Sequence, residues 1–116
     1  MSVQLNSRQV GDVSVIDVSG KVTLGDGAST LRNAIREAAG KGQKKVLLNL
    51  AEMSHIDSSG IGELVSGFAT IANKGGKLKL VNVTSGVKNL LLITKLYTVF
   101  EVFEDESVAL RSFADA

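Results

Sequence analysis

The stretch His55-Ile56-Asp57-Ser58-Ser59-Gly60-Ile61-Gly62 decides how the rest of the sequence is interpreted. It follows an apolar run typical of a strand and opens a run with helical periodicity, so the backbone should change here from extended to helical. A helix N-terminus leaves backbone N–H groups unpaired and concentrates positive potential. Two glycines in the expected first turn leave the surface around the serines without side chains. The stretch predicts an exposed hydroxyl that a partner can reach.

Upstream, the sequence predicts a hairpin, a helix and a buried strand. Residues 3–9 and 13–18 read as strands joined by a Gly11-Asp12 turn, which makes them antiparallel. A loop over 20–25 leads to a helix with Asp26 as its N-cap, ending near Ala39. Residues 45–50 form a nearly continuous apolar run, typical of a central strand buried on both faces. The intervening helix predicts that this strand lies parallel to the second strand.

Downstream, helical spacing predicts a helix over 59–73. Its apolar stripe comprises Ile61, Leu64, Val65, Phe68, Ile71 and Ala72. Residues 77–83 alternate polar and apolar, as a strand with one solvated face would. A third helix capped by Thr84 or Ser85 should reach Ile93, and an edge strand should follow over 98–103.

The C-terminal segment predicts a last helix. Glu104, Asp105 and Glu106 suit its first turn, and Val108 and Phe113 should dock it. The whole alternation predicts one α/β domain over residues 1–116. Its mixed sheet of four or five strands should pack against about four helices.

Composition excludes several functions. With 116 residues, no Cys and one His, the chain predicts a single domain without a metal or another cofactor. A net charge of +1 with 22% charged residues does not suggest binding to nucleic acid or an anionic membrane. No apolar run approaches the roughly 20 residues of a membrane span, and no secretory signal is visible. A cytoplasmic domain is expected.

Two enzymatic interpretations are weak. A dinucleotide fingerprint would need glycine at position 65, which is Val65. A serine hydrolase would need the pattern Gly-x-Ser-x-Gly, which is absent, and His55, Asp57 and Ser58 are too close in sequence to form a catalytic line easily. The sequence therefore predicts a protein that is not an enzyme, with a small nucleotide binder or enzyme kept as a third alternative.

The serines admit a structural and a functional interpretation. Asp57, Ser58 and Ser59 are all good N-cap residues, and only one is needed. Phosphorylation would add about −1.5 to −2 charges. The helix N-terminus would tolerate that charge, whereas a partner packed over Gly60 and Gly62 would have to bury it. This predicts a switch that changes binding without remodelling the domain, and it leaves Ser58 and Ser59 as equal candidates.

Residues 47–50, 56–62 and 77–83 resemble the STAS domains of bacterial anti-sigma factor antagonists, also called anti-anti-sigma factors. The resemblance covers nearly the whole chain. It implies that the unmodified protein binds an anti-sigma factor with serine kinase activity and so frees a sigma factor. Phosphorylation from ATP then releases the antagonist, and a serine phosphatase resets it.

Matched residue by residue, the resemblance implies that Ser58 accepts the phosphate. It implies that the partner-facing surface is formed by Asp57, Ser58, Ser59, Gly60 and Gly62, with Lys21 and Thr23 beside it. Similar proteins tend to carry an acidic residue near Thr23, and this chain does not.

The STAS fold also serves elsewhere, so an alternative stays open. The chain would then be a constitutive interaction subunit of a stress-signalling or transport complex, with Ser58 mainly a helix cap. A monomer or weak dimer is expected in either case, because nothing in the sequence demands an apolar self-interface.

Overall fold

One sheet and four α-helices build the fold in a computed structural model that describes residues 3–115. The strands are β1 (Val3–Val10), β2 (Val13–Val22), β3 (Lys45–Ile56), β4 (Lys77–Val81) and β5 (Val102–Phe103). The helices are α1 (Asp26–Gly40), α2 (Ser58–Asn73), α3 (Ser85–Ile93) and α4 (Glu106–Ser112). Short 3-10 turns cover Leu96–Thr98 and Phe113–Asp115. No helix in this part of the chain is long and apolar enough to cross a membrane.

The five strands lie in the order β1-β2-β3-β4-β5. β1 is antiparallel to β2, whereas the pairs β2–β3, β3–β4 and β4–β5 are parallel. This arrangement brings the carboxyl ends of β2 and β3 to the same edge, where Lys21 pairs with His55 and Val22 with Ile56. The predicted hairpin, crossover and mixed α/β sheet are confirmed.

The sheet buries apolar side chains on both faces because successive strand residues point in opposite directions. On one face, Val46 and Leu48 of β3 join a core with α1, α2 and α3. On the other face, Leu47 joins a smaller core in which Ala109 and Phe113 cover the sheet. The predicted burial of β3 on both faces is confirmed, since Val46, Leu47 and Leu48 are all inaccessible to solvent.

β4 differs from its prediction because Lys79 is buried. Its side chain is 4% exposed. Lys79 Nζ donates to Ser112 Oγ at 2.9 Å and lies 4.7 Å from the centre of the Phe113 ring. Glu101 Oε1 is 3.5 Å away. The face of β4 that the alternation assigned to solvent is therefore covered by the C-terminal segment, and Ser112, the Phe113 ring and Glu101 surround the charge.

Two local predictions, for Asp26 and Val108, were wrong, and a third, for Thr84, was right about the residue but not about its capping bond. Asp26 is the first residue of α1 and not its cap, which is Gly25 with a φ of 99°. Thr84 is the N-cap of α3 but makes no side-chain capping bond. Val108 is 40% exposed, so α4 docks through Ala109 and Phe113 instead. The docking of α4 depends on contacts with the sheet that a local pattern does not contain.

Candidate functional site

The junction between β3 and α2 is a tight turn at Asp57. Its backbone is extended, with φ −118° and ψ −171°, and α2 begins at the next residue. Asp57 Oδ1 accepts a hydrogen bond of 3.0 Å from the N–H of Gly60. Asp57 is therefore the N-cap of α2, and it satisfies one of the N–H groups that a helix start leaves unpaired.

The other carboxylate oxygen of Asp57 binds the loop between β2 and α1. Asp57 Oδ2 accepts a hydrogen bond of 2.9 Å from the N–H of Leu24, in the loop between β2 and α1. The hydrogen bond from Leu24, followed by that from Gly60, holds the pKa of Asp57 below its ordinary value. The carboxylate is therefore ionised near neutral pH, and it joins the helix start to the preceding loop.

Ser58 is exposed at the first position of α2, and Ser59 is partly buried at the second. Because Asp57 supplies the cap, the interpretation of Ser58 as mainly a capping residue is wrong. The hydroxyl of Ser58 stands in solvent beside an ionised carboxylate and at the positive end of a helix of 16 residues.

The two glycines of the first turn have different roles. Gly60 is buried, and a Cβ there would overlap the carbonyl oxygen of Val22 and lie 2.6 Å from Ile56 Cγ1. Gly62 is exposed, with nothing within 4 Å of a Cβ. The expectation that both glycines bare a partner surface is therefore corrected: Gly60 lets α2 approach the end of β2, and only Gly62 faces solvent.

The loop predicted over 20–25 is shorter than expected, because Lys21 and Val22 belong to β2. Lys21 is exposed on the strand, whereas Thr23 is partly buried in the loop. The carbonyl of Thr23 accepts a hydrogen bond of 2.9 Å from Ala28. Lys21 and Thr23 thus lie at the same sheet edge as Asp57 and Ser58.

Two further polar contacts lie on β3 and on the helices. The exposed His55 ring lies 3.2 Å from Ser54 Oγ, as expected for a surface side chain. Between the helices, Arg32 of α1 contacts Glu63 of α2 at 3.4 Å. This ion pair connects α1 to the second turn of α2.

Sequence reasoning missed Leu24 and Val22. Leu24 is 79% exposed, and its N–H holds the Asp57 carboxylate. Val22 has no exposed surface, and its carbonyl excludes a side chain at position 60. The available signal for Leu24 was a large apolar residue directly before a loop glycine. The contact with Val22 has no local signal.

Fold and site together define a class of protein. It is a small α/β domain that presents a serine at a helix start, next to a loop held by a hydrogen bond to the helix cap. The chain belongs to the STAS domain family, whose model matches residues 4–109. A relative from Paenibacillus polymyxa, named anti-sigma F factor antagonist, is 25% identical over 95% of this chain and 94% of its own.

Solved structures share the fold. An anti-sigma factor antagonist from Mycobacterium paratuberculosis has a TM-score of 0.85 at 19% identity, covering 97% of this chain and 95% of its own. The antagonist SpoIIAA, solved in its unphosphorylated form, has a TM-score of 0.71 at 19% identity and covers 94% of this chain and 96% of its own. SpoIIAA of Bacillus, solved in its phosphorylated form, has a TM-score of 0.73 at 19% identity, covering 94% of this chain and 99% of its own.

Proposed function

We propose that this protein is an anti-sigma factor antagonist controlled by phosphorylation of Ser58. Unmodified, it binds an anti-sigma factor that is also a serine kinase. Phosphorylation of Ser58 ends the complex, and a serine phosphatase restores it. Relatives named anti-sigma factor antagonists support the role, and a phosphorylated form is known for SpoIIAA. The role is that of a cytoplasmic binding module.

The observation that carries the proposal is the exposed Ser58 at the start of α2, where Asp57 already supplies the cap. A hydroxyl with no capping duty can be modified without loss of a structural bond. Ser59, which is partly buried, is less accessible to a kinase. The same observation argues against a constitutive subunit in which Ser58 is retained as a cap.

Electrostatics explain why phosphorylation would act on binding. A phosphate adds about −1.5 to −2 charges at neutral pH. The N-terminus of α2 favours negative charge, so the domain should stay folded. Asp57, which directly precedes Ser58, is ionised. A partner that covers the start of α2 would therefore bury two neighbouring anionic groups. Burying charge without a partner is costly, and the complex should therefore dissociate.

The partner surface comprises the exposed residues Ser58, Gly62 and Lys21 with the partly buried Asp57, Ser59 and Thr23. Gly60 serves this surface indirectly, by letting α2 lie close to β2. Thr23 stands near the position where related proteins tend to carry an acidic residue, so a kinase suited to this chain should lack a strict need for an acidic contact there.

The test begins with purified anti-sigma factors from the same genome, and the one that binds the wild-type protein most tightly is the partner used. Incubation with this partner and ATP should incorporate one phosphate, which mass spectrometry of peptides should locate at Ser58. Ser58→Ala should abolish labelling, and the matched control Ser59→Ala should keep it. Labelling that persists in Ser58→Ala would contradict the assignment.

A further inference from the structure

We infer that Leu24 is the apolar anchor of the partner complex, and that it inserts into an apolar pocket of the anti-sigma factor beside the site that receives Ser58. The inference rests on the proposed function, because it concerns the same docking event. It adds a residue to which no role in binding has been assigned, and it states the chemistry of the partner surface that receives it.

Exposure is the first observation. Leu24 is 79% exposed, more than the other large apolar side chains of residues 3–115 that reach solvent, such as Ile93 at 77% and Leu92 at 59%. An exposed leucine alone is unremarkable on a protein surface. Leu24 differs because its own N–H donates to Asp57, the residue directly before Ser58.

Rigidity is the second observation. The loop over 23–25 is held at its start by the bond from Ala28 to the Thr23 carbonyl, and in its middle by the bond from Leu24 to Asp57. At its end, Ser29 Oγ donates to the Gly25 carbonyl at 2.7 Å. A side chain on a fixed backbone loses less conformational freedom on binding, so its burial contributes more to affinity.

The packing beneath the loop fixes its position further. Gly27 is buried, and a Cβ there would overlap the carbonyl oxygen of Lys21. The first turn of α1 therefore lies directly against the end of β2. With β2 paired to β3 at Val22 and Ile56, the base of the loop cannot shift independently of the Ser58 edge.

These observations assign different roles in the complex to two neighbouring residues. Ser58 is the group that the kinase modifies, and Leu24 is the group that holds the kinase in place. An anchor of this kind contributes to docking before and after chemistry alike, so its loss should raise KM for phosphorylation without changing kcat. A residue with a merely structural role would alter the melting temperature as well.

The test measures affinity for the same anti-sigma factor by calorimetry, and Ser58 phosphorylation by steady-state kinetics. Leu24→Ala should weaken binding about tenfold and raise KM by a similar factor, with kcat within about twofold. Leu24→Gln, which is similar in size but polar, should lose as much affinity as Leu24→Ala. Leu24→Met should bind nearly as tightly as wild type. Leu92→Ala, at an exposed leucine of α3, is the matched control and should bind as wild type.

Ser58→Asp distinguishes a failure of the Leu24 anchor from a failure of the proposed phosphorylation switch. If Leu24→Ala binds within about twofold of wild type while Ser58→Asp is weakened, the anchor is overturned and the proposed function stands. If Leu24→Ala loses about tenfold while Ser58→Asp binds as wild type, the anchor stands and the phosphorylation switch fails. Wild-type affinity in both variants overturns both.

Discussion

The backbone N–H of Leu24 donates a hydrogen bond of 2.9 Å to Asp57 Oδ2, although the two residues are 33 positions apart. The parallel pairing of β2 with β3 brings them together. Because Asp57 Oδ1 caps α2 through Gly60, a single carboxylate joins the loop and the helix start. The local geometry around Ser58 therefore depends on one side chain.

Asp57→Asn should release one of these two contacts, since an amide offers one acceptor oxygen in place of two. We expect faster hydrogen exchange at the amide of Leu24 or of Gly60, measured by NMR near neutral pH. Asp26→Asn is the matched control, because Asp26 makes no capping bond, and it should leave both amides unchanged. Unchanged protection of both amides in Asp57→Asn would show that the carboxylate does not hold the loop.

Gly60→Ala should destabilise the fold because its methyl group would meet the Val22 carbonyl. Overpacking of this kind costs about 1–3 kcal/mol. Gly62→Ala is the matched control in the same turn of α2, where the space is open, and it should be neutral or stabilise by up to about 1 kcal/mol. Urea denaturation measures both variants, and equal stability of the two would contradict the packing described here.

Lys79→Ala should cost about 2–4 kcal/mol of unfolding free energy, because it opens a cavity under α4 and removes the contacts with Ser112 and Phe113. Lys79→Met, which keeps the volume, should cost less than about 2 kcal/mol. Lys77→Ala, at an exposed lysine of the same strand, should change stability by no more than about 0.5 kcal/mol. A loss for Lys79→Ala as small as that for Lys77→Ala would mean that Lys79 does not hold α4.

Asp17 should make stability depend on acid pH. Its hydrogen bonds with Arg8, and then with Asn49, lower its pKa from 3.8 to about 2, against the opposing effect of burial. A carboxyl whose pKa is lower in the folded state stabilises the protein above its unfolded pKa. That stability is lost as the pH falls from about 4 to about 2.

With a side chain 28% exposed, this contribution should be about 1–2 kcal/mol. Urea unfolding at about pH 5 and about pH 2 measures the difference. In Asp17→Asn the difference in unfolding free energy between the two pH values should shrink by that amount. Arg8→Gln should also shrink it, because it removes the hydrogen bonds that lower the pKa of Asp17. The same pH dependence in wild type and Asp17→Asn would contradict the assignment.

Strong local patterns predicted the elements and their order. The apolar run at 45–50, the helical stripe of α2 and the turn at Gly11 suffice for the mixed sheet. The length of β3 was underestimated, because Glu52, Ser54 and His55 interrupt the apolar run. The strand conformation of residues 51–56 depends on pairing with 19–22 of β2, a contact between distant segments. Local periodicity contains no information about such pairing.

The site was predicted only in part, because some of its contacts also join distant segments of the chain. The sequence indicates a helix start with exposed hydroxyls, and Ser58 is exposed. It does not indicate which of three residues caps the helix, because the choice of Asp57 is reinforced by Leu24 from another loop. It also suggests a close approach at Gly60 without showing that the approaching group is Val22 of the same chain.

Phosphorylation of Ser58 is the central claim, and calorimetry of two forms of one protein tests it most directly. Wild-type protein phosphorylated stoichiometrically at Ser58, and the same protein unmodified, are titrated with the anti-sigma factor. We predict binding at least about a hundredfold weaker for the phosphorylated form, with melting temperatures that agree within a few degrees. Equal affinity of the two forms would contradict the account.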